Sequence, residues 1–494
     1  MWLLFRPNQA ETKRTDNRPQ MNPIETSCLN AINTFDVIVI GAGPGGYPAA
    51  IRAAQLGKRV AIIEKERFGG TCLNWGCIPT KALIASSERY LHAKGGASLG
   101  VIVQGLSFDY AKMVARKNEI VSRLNAGVEG LLKAAGVSIF RGTARFEDSR
   151  RVSVVAPDGA VSWLSAPAII VATGSVSAMP GFLPPHPRVV ESRAFLDRST
   201  LPASLLVLGG GVIGCEFACM AAALGVPVTI IEMLDDILMV LDTDVRRVLR
   251  RRMETMGITL LTGAPLTGIT ATDRGVSGTF KEQTVSGDLL LVAVGRKPDL
   301  ADLELSRAGV QVDARGQIPV DAHCRTAVAS VFAVGDITAG SIQLAHAATA
   351  QGIVAAENAA GLRTGVETIC PSCIFTLPEV GLVGLSEAQA KGAGRAILTG
   401  VFPFAALGKA MAAGETEGFV KWIADPVTDQ LLGAQAVGAH ATELIAEAAT
   451  AIRNQLTVEE LGRTIQCHPT FAEAWLEAAH AVHGACIHLP KRTS

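Results

Sequence analysis

Two glycine-rich motifs, 168 residues apart, constrain the fold of this chain more than any other feature. Each satisfies G-x-G-x-x-G, each follows a short apolar segment, and each opens an alanine-rich helical segment. In both units a second apolar segment ends on an acidic residue, Glu64 or Glu232, 18 residues after the third glycine. The motif glycines are Gly41, Gly43 and Gly46 in the first unit and Gly209, Gly211 and Gly214 in the second.

This pattern has a physical reason in dinucleotide binding. The glycines permit a tight turn and close approach of the backbone to a pyrophosphate, and the helix N-terminus attracts the negative charge. The acidic residue is placed to accept a ribose hydroxyl. One such motif is weak evidence, but two complete strand–helix–strand units predict two dinucleotide sites.

The second unit favours NAD over NADP. Glu232 can bind a 2′-hydroxyl but repels a 2′-phosphate. Residues 233–236, Met-Leu-Asp-Asp, offer no arginine to receive that phosphate. Glu216 lies just inside the helix of this unit, where an ordinary position in the first turn is the simpler interpretation.

A pair of cysteines, Cys72 and Cys77, begins eight residues after Glu64 in a stretch rich in glycine. Residues five apart do not face each other on a regular helix, but a loop or distorted turn at Asn74 to Gly76 would bring both sulfurs within disulfide reach. Such a small ring adds little stability, so a redox couple is favoured over a structural crosslink. Two buried small hydrophobic residues are the alternative. A dithiol beside a dinucleotide suggests flavin, and a helix is predicted from Lys81 onwards.

The stretch from Gly69 to Lys81 resembles the pyridine nucleotide–disulfide oxidoreductase family of FAD flavoproteins, and the resemblance extends from Phe35 to the end of the chain. Within the family it is most similar to members that oxidise dihydrolipoamide in 2-oxo acid dehydrogenase complexes. The implied fold is α/β, with two Rossmann-like dinucleotide-binding domains, for FAD and NAD, and a C-terminal α+β dimerisation domain. The implied boundaries are an irregular N-terminal extension (1–33), the FAD domain (34–180 and 301–368), the NAD domain (181–300) and the interface domain (369–494).

The resemblance also implies the residues that hold the two cofactors. Gln343 departs from the family, which more often has Met there. The residues implied for FAD are Gly41, Gly43, Gly46, Glu64, Gly70, Thr71, Lys81, Gly142, Thr173, Gly174, Ser175, Asp336, Gln343, Leu344, Ala345 and His346. Those implied for NAD are Gly209, Gly211, Gly214, Glu216, Glu232 and Gly295.

His468-Pro469-Thr470 precedes a predicted helix, with Glu473 five residues after the histidine. A carboxylate that holds one imidazole nitrogen leaves the other free to take a proton. In the family this pair acts on the dithiol of the other subunit, which implies a homodimer.

The resemblance assigns each catalytic residue a role. His468 would deprotonate the substrate thiol, Cys72 would exchange with it, and Cys77 would pass electrons to FAD. Lys81, paired with Glu216, would fix charge near the flavin ring.

Several alternatives remain within and beyond the family. Mercuric reductase and high-molecular-weight thioredoxin reductase usually carry a C-terminal cysteine pair, whereas Cys486 stands alone here. Glutathione reductase is disfavoured by Glu232, and a soluble transhydrogenase would lack the cysteine pair. A role chiefly as an assembly subunit is a further alternative, because docking to an E2 core, or to its lipoyl domain, or to the H protein of glycine cleavage, is expected of the family.

Composition excludes other classes of function. The formal net charge of zero argues against nucleic acid or an anionic membrane as the main partner. The longest apolar run, residues 205–231, contains a glycine motif and Glu216, so no membrane span is expected. No metal site is predicted, since Cys370 and Cys373 lack a second pair. Scattered cysteines and the lack of a signal-like segment in residues 1–33 favour a cytoplasmic location, with the mitochondrial matrix as the alternative.

Overall fold

The computed structural model of this chain describes residues 32–490. The predicted N-terminal extension therefore lies outside the described residues, except for its last two positions. Asn33 already forms a strand with Thr34 that pairs with Leu164 and Ser165. Among residues 32–490, no helix has both the length and the apolar character needed to cross a membrane.

The first segment contains the first glycine motif and the cysteine pair. A short 3-10 helix, Gly96–Leu99, follows the third α-helix. The elements are β1 (Asn33–Thr34), β2 (Val37–Ile40), α1 (Gly46–Gln55), β3 (Val60–Glu64), α2 (Gly70–Trp75), α3 (Cys77–Gly95), α4 (Tyr110–Ala134), β4 (Ser138–Arg141), β5 (Thr143–Asp148), β6 (Arg151–Val155), β7 (Val161–Ser165), β8 (Ala168–Val171) and β9 (Ser175–Ser177).

The second segment repeats the strand–glycine turn–helix–strand order. Its elements are β10 (Val189–Glu191), α5 (Ser192–Leu196), β11 (Leu205–Leu208), α6 (Val212–Ala223), β12 (Val228–Glu232), α7 (Thr243–Thr255), β13 (Thr259–Thr262), β14 (Leu266–Thr272), β15 (Gly275–Phe280), β16 (Gln283–Gly287), β17 (Leu289–Val292) and β18 (Arg296–Pro298).

The last two segments return to the first sheet and then build a separate antiparallel sheet. Their elements are β19 (Val331–Ala333), α8 (Ala345–Ala359), β20 (Ser372–Ile374), β21 (Val380–Gly384), α9 (Glu387–Gly392), β22 (Leu398–Pro403), α10 (Gly408–Ala413), β23 (Gly418–Ala424), β24 (Leu431–Gly438), α11 (Ala441–Arg453), α12 (Val458–Gly462) and α13 (Glu473–Val482). The 3-10 helices here are Leu305–Ala308, Gly335–Ile337 and Phe404–Ala406.

The predicted fold class is confirmed. The strand before each glycine motif lies at the centre of a five-stranded parallel sheet, in the orders β19-β8-β2-β3-β4 and β10-β17-β11-β12-β13. Central strands covered on both faces must be apolar throughout, and β2 and β11 are fully buried along their length. Because β19 completes the first sheet, residues 301–368 return to the unit that begins near residue 34.

Two parts of the fold were not predicted from the sequence. One is the three-stranded antiparallel sheet β14-β15-β16. The other is part of the C-terminal sheet, whose order is β20-β21-β24-β23-β22: strands near β20, β23 and β24 are predicted from the sequence, but β21 and β22 are not. These strands carry Gly, Thr and Ser, so the alternation of apolar and polar residues that indicates a half-buried strand is weak in them.

A fully buried ammonium joins the second unit to the C-terminal unit. Nζ of Lys421, on β23, lies 3.0 Å from Asp242, 2.9 Å from Asp244 and 2.9 Å from Glu387. These carboxylates are close enough together to suit a metal ion, but the Lys421 ammonium already supplies the compensating charge. Although burial opposes ionisation, the hydrogen bond from Lys421 holds the pKa of Asp242 below its ordinary value. The cluster is a structural junction between the two units.

Replacing Lys421 by Met should destabilise the folded chain, since it leaves the buried carboxylate of Asp242, and the partly exposed ones of Asp244 and Glu387, without their cation. The expected cost is about 3–5 kcal/mol, read as a lower thermal midpoint of the FAD-loaded protein. Lys391→Met is the control, because Lys391 is exposed and lies 3.8 Å from Glu387. Equal thermal midpoints for the two variants would contradict the conclusion that the Lys421 cluster stabilises the contact between the two units.

Candidate active site and dinucleotide clefts

The glycines of the two motifs meet the same steric limits. Gly41 and Gly209 have positive φ angles, and a Cβ on either would lie 2.4 or 2.5 Å from the carbonyl oxygen of a neighbouring chain segment. A Cβ on Gly46 or Gly214 would lie within 2.0 Å of the first glycine's carbonyl oxygen. At the middle glycine the space is open, since nothing lies within 4 Å of a Cβ at Gly211. The outer glycines are required by packing, and the middle one leaves room for a ligand.

The two acidic residues also make matching contacts. Glu64 accepts hydrogen bonds from the N–H groups of Ala42 at 2.8 Å and Glu66 at 2.7 Å. Glu232 accepts them from Gly210 at 2.6 Å and Leu234 at 2.8 Å. Burial raises the pKa of Glu64, against these backbone hydrogen bonds. Each carboxylate is therefore fixed at the rim of its glycine turn, where a ribose would lie.

A cleft beside the first motif is lined by Gly41, Glu64, Gly142 and Thr173. The hydroxyl of Thr173 is buried, and no hydrogen-bond partner is found for it in the described chain. A Cβ at Gly142 would lie 2.3 Å from the Val155 oxygen, so only glycine fits there. The Thr173 hydroxyl could therefore hydrogen-bond to a ligand in the cleft. Together with the nearby N-terminus of α1, this suits a large cofactor that carries phosphate groups.

The residues predicted around the rest of this cofactor fall into two groups. Ser175 donates a hydrogen bond to Asp336 and accepts one of 2.7 Å from Arg296 Nε, which links the turn at 173–175 to the turn at 335–337. Residues 343–346 form the N-terminus of α8, with Leu344 at the N-cap and His346 hydrogen-bonded to the Pro371 oxygen at 2.7 Å. A Cβ at Gly352, in the middle of α8, would lie 2.1 Å from the Gly45 oxygen, so the N-terminus of α1 packs closely against α8.

The cysteine pair lies where α2 ends and α3 begins. The helix breaks at Gly76, whose φ of −136° and ψ of −109° reverse the chain locally, and α3 restarts at Cys77. A Cβ on Gly76 would lie 2.9 Å from the Thr71 oxygen, so glycine is needed for the closeness of the two helices. The predicted distortion at Asn74 to Gly76 is therefore present, although α3 starts four residues earlier than the helix predicted from Lys81.

The first glycine turn and the cysteine helix are in direct contact. Gly69 N–H donates to the Ala42 oxygen at 2.8 Å, and a Cβ on Gly70 would lie 2.7 Å from Cα of Gly43. Thr71 lies 3.5 Å from Arg296. The dithiol is therefore held beside the first dinucleotide cleft.

Both thiols are free, and they are hydrogen-bonded to each other. The hydrogen bond from Cys72 lowers the pKa of Cys77 to about 7; burial opposes this shift and the Lys81 ammonium favours it. The same hydrogen bond, with burial, raises the pKa of Cys72 well above its ordinary value. The surroundings of the pair therefore favour the thiolate form at Cys77 over Cys72.

Three parts of the chain meet at Lys81. Its Nζ donates to both oxygens of Glu216, at 2.9 and 2.7 Å, and lies 4.5 Å from the ring centroid of Phe375. The Phe375 N–H donates to the same carboxylate at 2.9 Å. The prediction that Lys81 and Glu216 lie together is confirmed by these distances. The contact of Phe375 was missed, because nothing in its local sequence points to an ion pair 159 residues away.

His468 and Glu473 are also brought together. His468 Nδ1 lies 2.8 Å from Glu473, whose other oxygen accepts from the Thr470 N–H at 2.8 Å. The His468 side chain is 77% exposed, whereas the dithiol is half-buried between α1, α2 and α3. The carboxylate orients the imidazole, which lies at the surface of its own chain.

Two further residues, whose role the sequence did not predict, hold α2, the helix that carries Cys72. Buried Asn74 donates to the oxygens of Phe68 and Gly70, at 2.8 and 2.9 Å. The Arg193 guanidinium lies 3.9 Å from the ring centroid of Trp75. An Asn between two cysteines gave a weak signal for such a clamp, since Asn commonly bonds nearby backbone.

The remaining predicted NAD residue, Gly295, has a φ of +120°, and nothing lies within 4 Å of a Cβ there. It follows β17, at the same end of the second sheet as the turn at 209–214. The second cleft is therefore open at Gly211 and Gly295 and bounded by Glu232.

Comparison with known proteins gives a consistent family. Residues 35–352 match the family described as pyridine nucleotide-disulphide oxidoreductase, and residues 370–479 match its dimerisation domain. The chain is 41% identical over 461 residues to a dihydrolipoyl dehydrogenase of Chlamydia pneumoniae, covering 93% of this chain and 99% of that protein. It is 40% identical over 464 residues to the dihydrolipoyl dehydrogenase of Geobacillus stearothermophilus, with 93% and 98% covered.

Solved structures agree with this likeness. The structure of LpdA from Mycobacterium tuberculosis superposes with a TM-score of 0.85 at 30% identity, covering 90% of this chain and 99% of that one. The flavoprotein disulfide reductase RclA from Escherichia coli gives 0.81 at 28% identity, with 90% and 99% covered.

Removing the ammonium or the ring beside it should raise the pKa of Cys77, because a nearby positive charge favours the thiolate. Lys81→Met is expected to shift the titration upward from about 7, and Phe375→Leu to shift it less, while Phe375→Tyr keeps the parent value. The measurement is thiolate ultraviolet absorbance against pH in a Cys72→Ser background, whose hydroxyl can still donate to Cys77. Subtracting the Cys72→Ser/Cys77→Ser protein isolates Cys77. An unchanged titration in Lys81→Met would refute the role of that charge.

Proposed function

This chain belongs to the pyridine nucleotide–disulphide oxidoreductase family, and we propose that it acts as a dihydrolipoyl dehydrogenase through the Cys72–Cys77 pair. The reaction oxidises a dihydrolipoyl group to its cyclic disulfide and reduces NAD to NADH. The observation that carries the proposal is the placement of the Cys72–Cys77 pair beside the first dinucleotide cleft, on the helix that also carries the Lys81–Glu216 ion pair. Relatives of this activity at about 40% identity over nearly the whole chain support it.

The enzyme uses FAD and NAD. The turn at 41–46, Glu64, Thr173 and Asp336 would hold FAD, and the turn at 209–214 with Glu232 and Gly295 would hold NAD. When bound, FAD supplies the acceptance of two electrons and their transfer to NAD as hydride, and the protein supplies binding, orientation and charge.

The thiol chemistry follows from the geometry of the chain's own residues. His468, held by Glu473, takes a proton from one substrate thiol, and the resulting thiolate attacks the Cys72 sulfur of the oxidised pair. The Cys72–Cys77 bond breaks, and Cys77 leaves as a thiolate, which the Lys81 ammonium stabilises. The second substrate thiol then displaces Cys72 from the mixed disulfide, and a proton passes by way of His468 from that thiol to the leaving Cys72 sulfur. Substrate leaves as a disulfide, and the two electrons remain in the Cys72–Cys77 dithiol.

An active site shared between two subunits accounts for the position of His468. A base that is 77% exposed can act on a half-buried dithiol only if a second surface covers both. We infer that the dimerisation domain, residues 370–479, places His468 of each subunit at the dithiol of the other.

The substrate carrier and the cell compartment are proposed on the same basis. The dihydrolipoyl group would be presented by a lipoyl domain of the E2 core of a 2-oxo acid dehydrogenase complex, or by the H protein of glycine cleavage. We propose a cytoplasmic location, with the mitochondrial matrix as the alternative.

A second candidate function is a disulfide reductase driven by NADH or NADPH. This candidate is supported by the structural similarity to an E. coli flavoprotein disulfide reductase at 28% identity. The two candidates differ in direction and in substrate, so rates with dihydrolipoamide plus NAD, and with other disulfides plus NADH, distinguish them.

The activity is tested with free dihydrolipoamide. Wild-type protein should reduce NAD rapidly, and Cys77→Ser should lose at least about 1,000-fold in kcat while still binding FAD, because the electron path is broken. Cys370→Ser is the matched control and should keep the parent rate, since Cys370 takes no part in the proposed chemistry. A yellow, dimeric wild-type protein that leaves NAD unreduced would refute the dihydrolipoyl reading.

The shared site is tested by mixing subunits. Cys77→Ser and His468→Gln proteins should each be nearly inactive, and hybrids formed after dissociation and reassociation should regain activity. Each hybrid dimer would contain one site with both an intact dithiol and an intact base. If the mixture stays inactive although mass analysis shows hybrid dimers, His468 acts within its own chain or not at all.

A further inference from the structure

The loop after the second ribose-binding carboxylate contains an ion pair that the sequence did not reveal. Asp236 binds two arginines of α7, with one carboxylate oxygen 2.8 Å from Arg246 and the other 2.7 Å from Arg250. Arg246 also donates to the Leu241 oxygen at 3.2 Å and to the Thr243 hydroxyl at 3.1 Å. The arginines missing from residues 233–236 are therefore supplied by a neighbouring helix.

The loop that carries Asp236 packs against the glycine turn where Glu232 is expected to bind the NAD ribose. Gly210 donates to Glu232 and accepts from the Leu238 N–H at 2.9 Å, and a Cβ on Gly210 would lie 2.8 Å from Ile237. Asp236 is thus on a loop that folds back onto the same glycine turn as Glu232.

The other side chains of this loop offer no cation. Met233 and Leu234 are 67% and 51% exposed, and Met239 and Val240 are 50% and 59% exposed. The only positive charges that the described chain brings to the loop through an ion pair are Arg246 and Arg250, and Asp236 partly neutralises them. The discrimination against a 2′-phosphate then depends on two carboxylates rather than one.

We propose that Asp236 is a specificity-determining residue, which excludes NADP by neutralising Arg246 and Arg250 beside Glu232. Glu232 repels the 2′-phosphate directly, and Asp236 withholds the two guanidinium groups that would otherwise attract it. The inference rests on the use of NAD and does not depend on the identity of the thiol substrate.

The test compares Asp236→Asn with Asp235→Asn in the FAD-loaded full chain. Both substitutions remove one negative charge from the same loop, but Asp235 forms no ion pair within the described residues, so only Asp236→Asn frees the arginines. Binding of NADP and of NAD is measured by titration calorimetry. Asp236→Asn should tighten NADP binding by about tenfold and leave NAD binding within about twofold, and Asp235→Asn should change the NADP to NAD ratio far less.

Two further results bear on the proposal. Adding Arg246→Gln and Arg250→Gln to Asp236→Asn should return NADP binding to the parent value, and the gain should shrink with rising salt. Equal shifts in Asp235→Asn and Asp236→Asn, or no shift in either, would overturn it.

The arginine variants also serve if Asp236→Asn does not fold. In the parent chain, Arg246→Gln/Arg250→Gln leaves Asp236 as an uncompensated carboxylate. The ratio of NADP to NAD affinity should then fall, and a rise would overturn the proposal.

Discussion

The Lys81–Glu216 ion pair is the interaction on which the arrangement of the site depends. Lys81 belongs to the helix that Cys77 opens, Glu216 to the helix of the second glycine motif, and Phe375 to the start of the C-terminal sheet. The Glu216 carboxylate is 95% buried, so its desolvation must be offset by the ammonium and the Phe375 N–H together. Each partner comes from a different unit, so the position of the ammonium beside Cys77 depends on contacts with all three units.

The chain uses the same solution twice for its two nucleotide turns. In both, the acidic residue accepts from the second residue of the turn and from the residue two positions after itself. The first and third glycines are fixed by backbone contacts, and only the middle one faces open space in the second unit. This is why the motif can be read from sequence, since steric limits within about 3 Å of the backbone permit a single residue type.

Features that depend on residues close together in the sequence could be predicted, and features that depend on residues far apart in the sequence could not. The glycine turns, the Gly76 distortion and the His468–Glu473 pair are set by residues within a few positions, and they could be predicted. Phe375, Arg296 and the Lys421 cluster depend on contacts across 100 residues or more, for which a single sequence carries no signal. The pairing of Asp236 could not be predicted from the sequence, because it depends on two arginines that lie on the next helix. The strands β21 and β22 were missed because packing, more than their own composition, makes them strands.

The contact between Gly43 and Gly70 joins the first phosphate turn to the helix that carries Cys72. A Cβ on Gly70 would come within 2.7 Å of Gly43, so the two segments have no slack between them. Loosening the cofactor turn must displace the sulfur, and disturbing the sulfur helix must strain the cofactor turn. The geometry of the first glycine turn and the position of the thiol pair are therefore coupled, and we expect heating to disorder the two segments together.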